Sequence, residues 1–330
     1  MKSKRVVCGI LAILFSTAFF GCSDEEKGEL TVYMPDGAPA LSMAYAMKND
    51  KEDDGFSYKV VAPALISSKI TANNESQNAD FCILPLTAGS KLVGNGERYQ
   101  LLATLTHGNL YLISKNATVY TTDNLSDLVG KTVGVLQIKE VPGLTFKTTL
   151  AKAQIPFVEL TGGATPQADK VNLRAMSSPQ DMATVSADCY LLAEPAVSAQ
   201  LKNGYSIVGD LQALYGVGGF PQAVLVAKKS LVQNQTETVK SFLACVSESC
   251  GKLTEMDGAT LVQTVTAHLE DTSYATTLKP ALLTEETLLR CGIRYDGNPK
   301  EKVLAYLGLA QTVNSSAVSM PSDSFFWSVN

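Results

Sequence analysis

From residue 30 to residue 227 the chain alternates short apolar runs with segments of helical spacing, and this alternation constrains its fold more than any other feature. Parallel strands must be joined by a crossover of about a dozen residues or more, usually a helix. Strand–helix repetition therefore reads as an α/β fold with largely parallel sheets. A first series places strands at 30–34, 58–61, 79–84, 99–104 and 110–114, with helices at 38–47, 66–73 and 87–93. A second series runs through a short helix at 125–129, a strand at 131–136 and a helix at 141–153. It continues with a strand at 157–160, a Gly/Pro/Thr-rich loop at 161–171 and a helix at 178–185. A strand at 187–192, a helix at 195–201 and a strand at 206–208 complete it. One more strand, 220–227, precedes helices expected at 231–253, 258–269, 276–290 and 298–309, and the tail beyond residue 313 reads as irregular. Two series followed by a helical stretch imply two α/β lobes rather than one continuous sheet. No repeat of solenoid period is present.

The N-terminus carries a different signal. Lys2, Lys4 and Arg5 precede an unbroken apolar stretch over 6–20, then Gly21, Cys22 and a charged run over 23–27. A basic start and a short apolar run mark a secretory signal, and the run is short for a spanning helix, which needs about 20 residues. A small residue directly before Cys resembles a bacterial lipobox, although Phe20 is bulky for its position. That pattern implies cleavage before Cys22, a diacylglycerol on its sulfur, and a polar tether over 22–29. An uncleaved N-terminal anchor is the alternative reading. Either one places the rest of the chain outside the cytoplasmic membrane.

Composition narrows the function. With 45% hydrophobic and 18% charged residues the chain is globular rather than disordered. A net charge of -5, a single Trp327 and few aromatics argue against a nucleic-acid partner. Of the seven cysteines, Cys8 would leave with the signal and Cys22 would carry lipid. Cys82, Cys189, Cys245, Cys250 and Cys291 show neither a disulfide framework nor metal-ligand spacing. Several unpaired thiols on an exported protein suggest a source that lives with little oxygen. The two histidines, His107 and His268, stand outside any Gly-x-Ser-x-Gly or His-Glu-x-x-His pattern. Neither a cofactor nor enzymatic activity is expected.

Five segments, in order, carry a family resemblance. They are 33–40 (Tyr-Met-Pro-Asp-Gly-Ala-Pro-Ala), 80–86 (Asp-Phe-Cys-Ile-Leu-Pro-Leu), 128–134 (Leu-Val-Gly-Lys-Thr-Val-Gly), 187–195 (Ala-Asp-Cys-Tyr-Leu-Leu-Ala-Glu-Pro) and 219–226 (Gly-Phe-Pro-Gln-Ala-Val-Leu-Val). Together they resemble the type II periplasmic binding proteins of the nitrate, sulfonate and thiamine-precursor branch. The resemblance implies two lobes, each a mixed sheet flanked by helices, joined by a hinge of two crossover strands with a ligand between the lobes. Lobe one would comprise 30–114 and 218–330, and lobe two 115–217. The crossovers would fall near 111–115 and 213–220, where Gly216, Gly218 and Gly219 permit bending. It further implies a monomer that delivers a small solute to an ABC permease and ATPase, held at the membrane through lipidated Cys22. A surface lipoprotein that senses or presents a ligand, and an enzyme on the same fold, are the alternatives.

Candidate contacts follow from the fold class. Ligands of open α/β sheets bind beyond the carboxyl ends of the strands, where the next helix offers free N–H groups and a positive dipole end. In lobe one those places are Asp36, Gly37 and Ala38; Leu65, Ile66, Ser67 and Ser68; and Pro85, Leu86 and Thr87. In lobe two they are 137–143, with Gln137, Pro142 and Gly143, and the pair Glu194 and Pro195. Thr106, His107 and Asn109, near the first crossover, and Gly219 and Phe220, near the second, can also reach the cleft. Each has a plain alternative. Asp36 suits an Asx turn, Ser67, Ser68 and Thr87 suit helix caps, Glu194 suits a salt bridge, and Phe220 suits the core. The solute class stays open between an anion, with Lys139 or Arg174 as the cation, and a heterocycle stacked on Tyr33, Tyr190 or Phe220.

Overall fold

Two aspartates repeat one device in both halves of the molecule. Asp80 accepts the N–H and hydroxyl of Thr31, both at 2.9 Å, and Asp188 accepts the N–H of Thr132 at 2.8 Å. Each aspartate precedes one strand and holds the first residues of a parallel strand beside it, which explains why two of the quoted segments carry Asp before an apolar run. The computed structural model describes residues 29–50, 55–116, 118–216 and 218–328. Cys22 and the segment over 1–21 lie outside the described residues.

The strands are β1 (Leu30–Pro35), β2 (Phe56–Val61), β3 (Phe81–Pro85), β4 (Tyr99–Thr106), β5 (Leu110–Ser114), β6 (Thr132–Leu136), β7 (Phe157–Leu160), β8 (Val171–Met176), β9 (Cys189–Ala193), β10 (Ser206–Asp210), β11 (Ala223–Lys228) and β12 (Ile293–Asp296). They form two six-stranded sheets, ordered β12-β4-β11-β3-β1-β2 and β10-β5-β9-β6-β8-β7. Both sheets are mixed. β1 is parallel to β2 and β3, while β11 runs antiparallel between β3 and β4. β6, β7, β8 and β9 run parallel, and β5 is antiparallel to β9 and β10. The helices are α1 (Ala38–Ser42), α2 (Ala44–Lys48), α3 (Leu86–Val93), α4 (Val141–Lys152), α5 (Ala196–Leu201), α6 (Leu211–Tyr215), α7 (Lys229–Asn234), α8 (Thr236–Gly251), α9 (Gly258–Ala267), α10 (Glu285–Arg290) and α11 (Lys300–Val313). This is the two-lobed type II binding-protein fold expected from the sequence. No helix among the described residues is long and apolar enough to cross a membrane.

Several expectations need correction. β5 pairs Leu110 with Ala193 of β9 and so belongs to the second sheet, not to the first lobe. The chain therefore passes between the sheets at 107–109 rather than at 111–115. The return passage is not a strand either. Asp210 accepts the N–H of Gln212 at 2.9 Å and caps α6, and a Gly-rich segment follows. Of the helix expected over 276–290 only α10 forms, because Thr276 and Thr277 bind Asp36 and Thr284 accepts the Thr287 N–H to start α10. The helix expected over 178–185 is a 3-10 turn, Pro179–Ala183, closed by a capping box between Ser178 and Asp181. β8 and β12 occupy places where no strand was expected.

The core explains how the lobes cohere. One continuous apolar cluster contains Cys82, Leu84 and Val224 of the first sheet together with Leu112, Val133 and Leu191 of the second. α4 lies within it, with Leu144, Phe146 and Leu150 buried. The Thr145 hydroxyl meets the Tyr306 hydroxyl at 2.8 Å, tying α4 to α11. The opposite face of the first sheet packs on α8, where the Phe242 ring lies 4.1 Å from Phe81 and 4.9 Å from Phe56, centroid to centroid. Phe242 is fully buried. Phe242→Ala should lower stability by about 3–5 kcal/mol through lost contacts and a cavity. Urea unfolding checks this, and the midpoint should fall without a change in slope.

Candidate functional site

Residues of both lobes wall a groove of about 530 Å³. Thr87 and Lys91 of α3 and Ser316 after α11 stand on the first-lobe side. Lys139, Val141 and Lys147, from the β6–α4 turn and α4, face them with Glu159 of β7. The α4 first turn opens here with Val141 at the groove wall; Pro142 has no N–H and the Leu144 N–H donates to the Glu140 carbonyl, so Val141 and Gly143 carry the N–H groups without a partner within the helix. The turn before it is held from below, because the Gln137 N–H donates to the Met176 carbonyl at 2.6 Å. Lys147 is buried and bonds Glu159 at 2.6 Å, while Lys91 donates to the Ser316 carbonyl at 2.9 Å. Lysines and the helix end thus give the groove a positive component, offset in part by Glu140 and Glu159.

Of the residues that the sequence offers as contacts, Thr87 lies in this groove, and Pro142 and Gly143 belong to the α4 first turn. Others are taken up by the fold itself. Asp36 accepts from the Tyr274 hydroxyl (3.0 Å), the Thr276 hydroxyl (2.7 Å), and the Thr277 N–H (2.7 Å) and hydroxyl (2.9 Å), so it anchors the loop over 274–277. Gly37 and Ala38 follow it at the start of α1. The Leu86 N–H donates to the Gln222 carbonyl, and the Thr106 hydroxyl accepts the Ala223 N–H, both at 2.9 Å, next to Pro85. Leu65 is exposed and Ile66 is buried on a 3-10 helix, Pro63–Ile70, where the Ser67 carbonyl accepts from Thr71.

Glu194 performs the salt-bridge role named for it. Its carboxylate accepts from Arg290 Nε at 2.5 Å and from the Ser198 N–H at 3.0 Å and hydroxyl at 3.1 Å. The Ser198 hydroxyl also meets that of Thr287 at 2.8 Å. The cluster joins α5, which follows Pro195, to α10 of the other lobe. Phe220 is fully buried and stacks on Tyr306, with centroids 6.2 Å apart and planes at 22°. Gly219 has φ 68°, and a Cβ there would lie 2.5 Å from the His107 carbonyl oxygen, so only glycine fits.

His107 and Asn109 sit in the first link. The His107 ring is buried, neither ring nitrogen has a hydrogen-bond partner in the protein, and Asp296 stands 3.8 Å away. Burial pushes its pKa down to about 4, helped by Arg294 and Lys302 and opposed by Asp296. The Asn109 side-chain carbonyl is likewise buried and unpartnered. Between pH 6.5 and about 4 the unfolded chain binds a proton at His107 that the folded chain does not, so this site removes stability as pH falls through that window. The loss reaches ~3 kcal/mol near pH 4. His107→Gln should therefore show a shallower fall in stability from pH 6.5 to 4 in denaturant titrations. Identical pH slopes for variant and parent would refute this.

The residues that sequence reasoning missed are Lys147, Glu159, Arg290, Tyr306 and the 274–277 loop. Their partners are far away in sequence, and no local pattern marks them. The thiols of Cys189, Cys250 and Cys291 are buried and pushed up to about 12, and Cys82 is raised still further, each chiefly by burial. No group of three or more His, Cys, Asp or Glu able to hold a metal occurs among the described residues.

Two α/β sheets, two links and a groove between them define a two-lobed binding-protein fold, and solved structures share it. An ABC transporter protein from Parabacteroides distasonis is 19% identical, with a TM-score of 0.69, covering 92% of this chain and 99% of that one. The periplasmic aliphatic sulphonate binding protein SsuA from Escherichia coli is 13% identical, with a TM-score of 0.62 and 92% of each chain covered. The alkanesulfonate-binding protein SsuA from Xanthomonas axonopodis pv. citri, bound to MOPS, is 13% identical with a TM-score of 0.54, covering 90% of this chain and 95% of that one. The family described as NMT1/THI5 like matches residues 52–256, and the chain belongs to that family. No curated protein matches the chain.

Proposed function

We propose that this chain captures a small solute between its lobes and delivers it to an ABC permease and ATPase, as a lipid-anchored protein outside the cytoplasmic membrane. The observation that carries the reading is the groove of about 530 Å³ whose walls come from both lobes. A ligand held there touches α3 and α4 at once, so binding favours the closed arrangement over an open one. On this reading lobe one spans 30–106 with 223–330, and lobe two spans 110–210. The links are 107–109 and 211–222.

The groove suits a solute with an anionic end. Lys91, Lys139 and the α4 first turn supply N–H donors and positive charge, as helix N-termini do for oxyanions. The sulfonates named for the two SsuA proteins are therefore the first solutes to test. A binding role, rather than a catalytic one, is supported by the buried high-pKa thiols and by the two histidines. The His107 ring is enclosed at the first link, and His268 Nδ1 lies 2.8 Å from the Thr264 carbonyl.

To test it, the mature protein is unfolded to strip carried-over ligand, refolded, and titrated with alkanesulfonates and other small oxyanions while unfolding is followed. A true ligand stabilises the folded form by about 2.7 kcal/mol at one hundred times its dissociation constant. Val141→Asp places a carboxylate at the groove wall on a helix position that tolerates it. It should weaken binding by about tenfold or more, equivalent to about 1.4 kcal/mol. Chemical turnover of the bound solute, or equal affinity in the variant, would sink this reading.

The anchor is tested separately. Cells fed labelled palmitate should label the parent chain, and Cys22→Ala should abolish the label. An unlabelled parent chain held in the membrane would instead favour the uncleaved apolar segment as the anchor.

A further inference from the structure

Among the charged side chains that line the groove, one is buried. Lys91, Lys139, Glu140 and Glu159 line it as exposed residues, whereas the Lys147 side chain is only 6% exposed. Water and salt screen exposed charges strongly and buried ones much less, so Lys147 weighs most on an ion held there. A buried charge is costly unless it is paired and hydrogen-bonded. An ammonium carries three N–H donors. Lys147 Nζ gives one to Glu159 Oε1 at 2.6 Å, the single hydrogen bond of that ammonium among the described residues. Two donors of a buried cation at the groove wall therefore remain for an occupant.

The two glutamates of the groove are placed differently. Glu159 lies on β7, the edge strand of the second sheet, and its side chain is 37% exposed. Its carboxylate stands at the groove against Lys147, as the anionic end of a solute would. Glu140, just before α4, is in no ion pair among the described residues. Three lysines against two glutamates leave the walls with one net positive charge. One negative charge on a solute balances that excess, and a second overfills it.

We propose that Glu159 sets the charge of the solute: by sharing Lys147 with the anionic end, it admits one negative charge there and rejects two. A monoanion takes the unused donors of Lys147 and neutralises the walls. A dianion brings its second charge to an ammonium that Glu159 already shares, and like charges at one site disfavour each other. Closure of the lobes removes the water that would screen them. Repulsion of the wrong ligand is a specificity device separate from attraction of the right one. The inference rests on solute capture in the groove and adds the residue that selects among anions.

The test is isothermal titration of the stripped and refolded mature protein with methanesulfonate and with sulfate at one ionic strength. The two ions are similar in size and differ by one charge. The parent should bind methanesulfonate about tenfold more tightly than sulfate, or better. Glu159→Gln removes the charge but keeps a side-chain oxygen that accepts from Lys147. It should erase most of that preference, chiefly by tightening sulfate. Glu140→Gln removes an exposed charge from the same groove and should shift the ratio far less. The inference is overturned if the parent holds both ions equally, if Glu159→Gln keeps the parent's ratio, or if Glu140→Gln shifts it as much. In those cases capture in the groove still stands, provided that Val141→Asp weakens the binding. If neither ion binds, this inference falls, and the wider reading falls with it only when the other oxyanions fail too.

Discussion

The chain passes between its two sheets only at 107–109 and at 211–222, and the close packing of those two passages is the constraint on which the rest of the molecule depends. The His107 carbonyl lies where a Cβ on Gly219 would come within 2.5 Å, and the Gly108 carbonyl where a Cβ on Gly292 would come within 2.0 Å. Backbones that near each other require glycine. The His107 N–H in turn donates to the Gly292 carbonyl at 2.9 Å, fastening the first link to the strand that follows α10. With the links so fixed, the carboxyl ends of β1, β3 and β4 are set against those of β6, β8 and β9. Thr87, which follows β3, and Lys139 and Val141, which follow β6, line the groove from those facing edges.

Two contacts of different character then bind lobe to lobe. On one flank Glu194, Arg290, Ser198 and Thr287 form a buried polar cluster. On the other, Phe220, Tyr215 and Tyr306 pack together, with Thr145 bonded to the Tyr306 hydroxyl. Magnitudes separate their roles. Phe220 and Tyr306 are essentially fully buried, and burial of about 150–250 Å² each at about 25 cal/mol per Å² is worth roughly 4–6 kcal/mol per ring as an upper bound. A buried ion pair gains far less net, since desolvation offsets most of its Coulomb energy. The aromatic flank supplies cohesion, and the ionic flank supplies register. Losing one partner of the ionic cluster would still be costly, because a buried charge would be left alone.

The fold was largely legible because its signal is local. Alternating apolar runs marked the strands of both series, and the two aspartates that brace the sheets stood inside the quoted motifs. What escaped was membership and edges. The apolar pattern of β5 is the same whichever sheet receives it, so only its pairing with β9 places it. β12 is a four-residue edge strand, and β8 follows directly on a Gly/Pro/Thr-rich loop, where turn chemistry masked its alternation. The candidate positions were legible as strand ends, but the bonding of their side chains was not. Asp36 and Glu194 lie at the strand ends where ligands bind, yet their partners are Tyr274, Thr276, Thr277 and Arg290. Nothing near Asp36 or Glu194 in the chain announces those residues.

That division also explains why the sequence names no solute. The conspicuous polar residues at the facing edges are engaged in holding the molecule together. The groove is left with lysines, two glutamates and a helix end, which are ordinary surface groups until the fold brings them to one place. The same bonding bears on motion. Separating Glu194 from Arg290 exposes two charges to water, which repays much of the lost attraction. Separating Phe220 from Tyr306 exposes apolar surface with no such return. Of the two flanks, the ionic one therefore parts at lower cost, and the aromatic one is the natural pivot for the lobes.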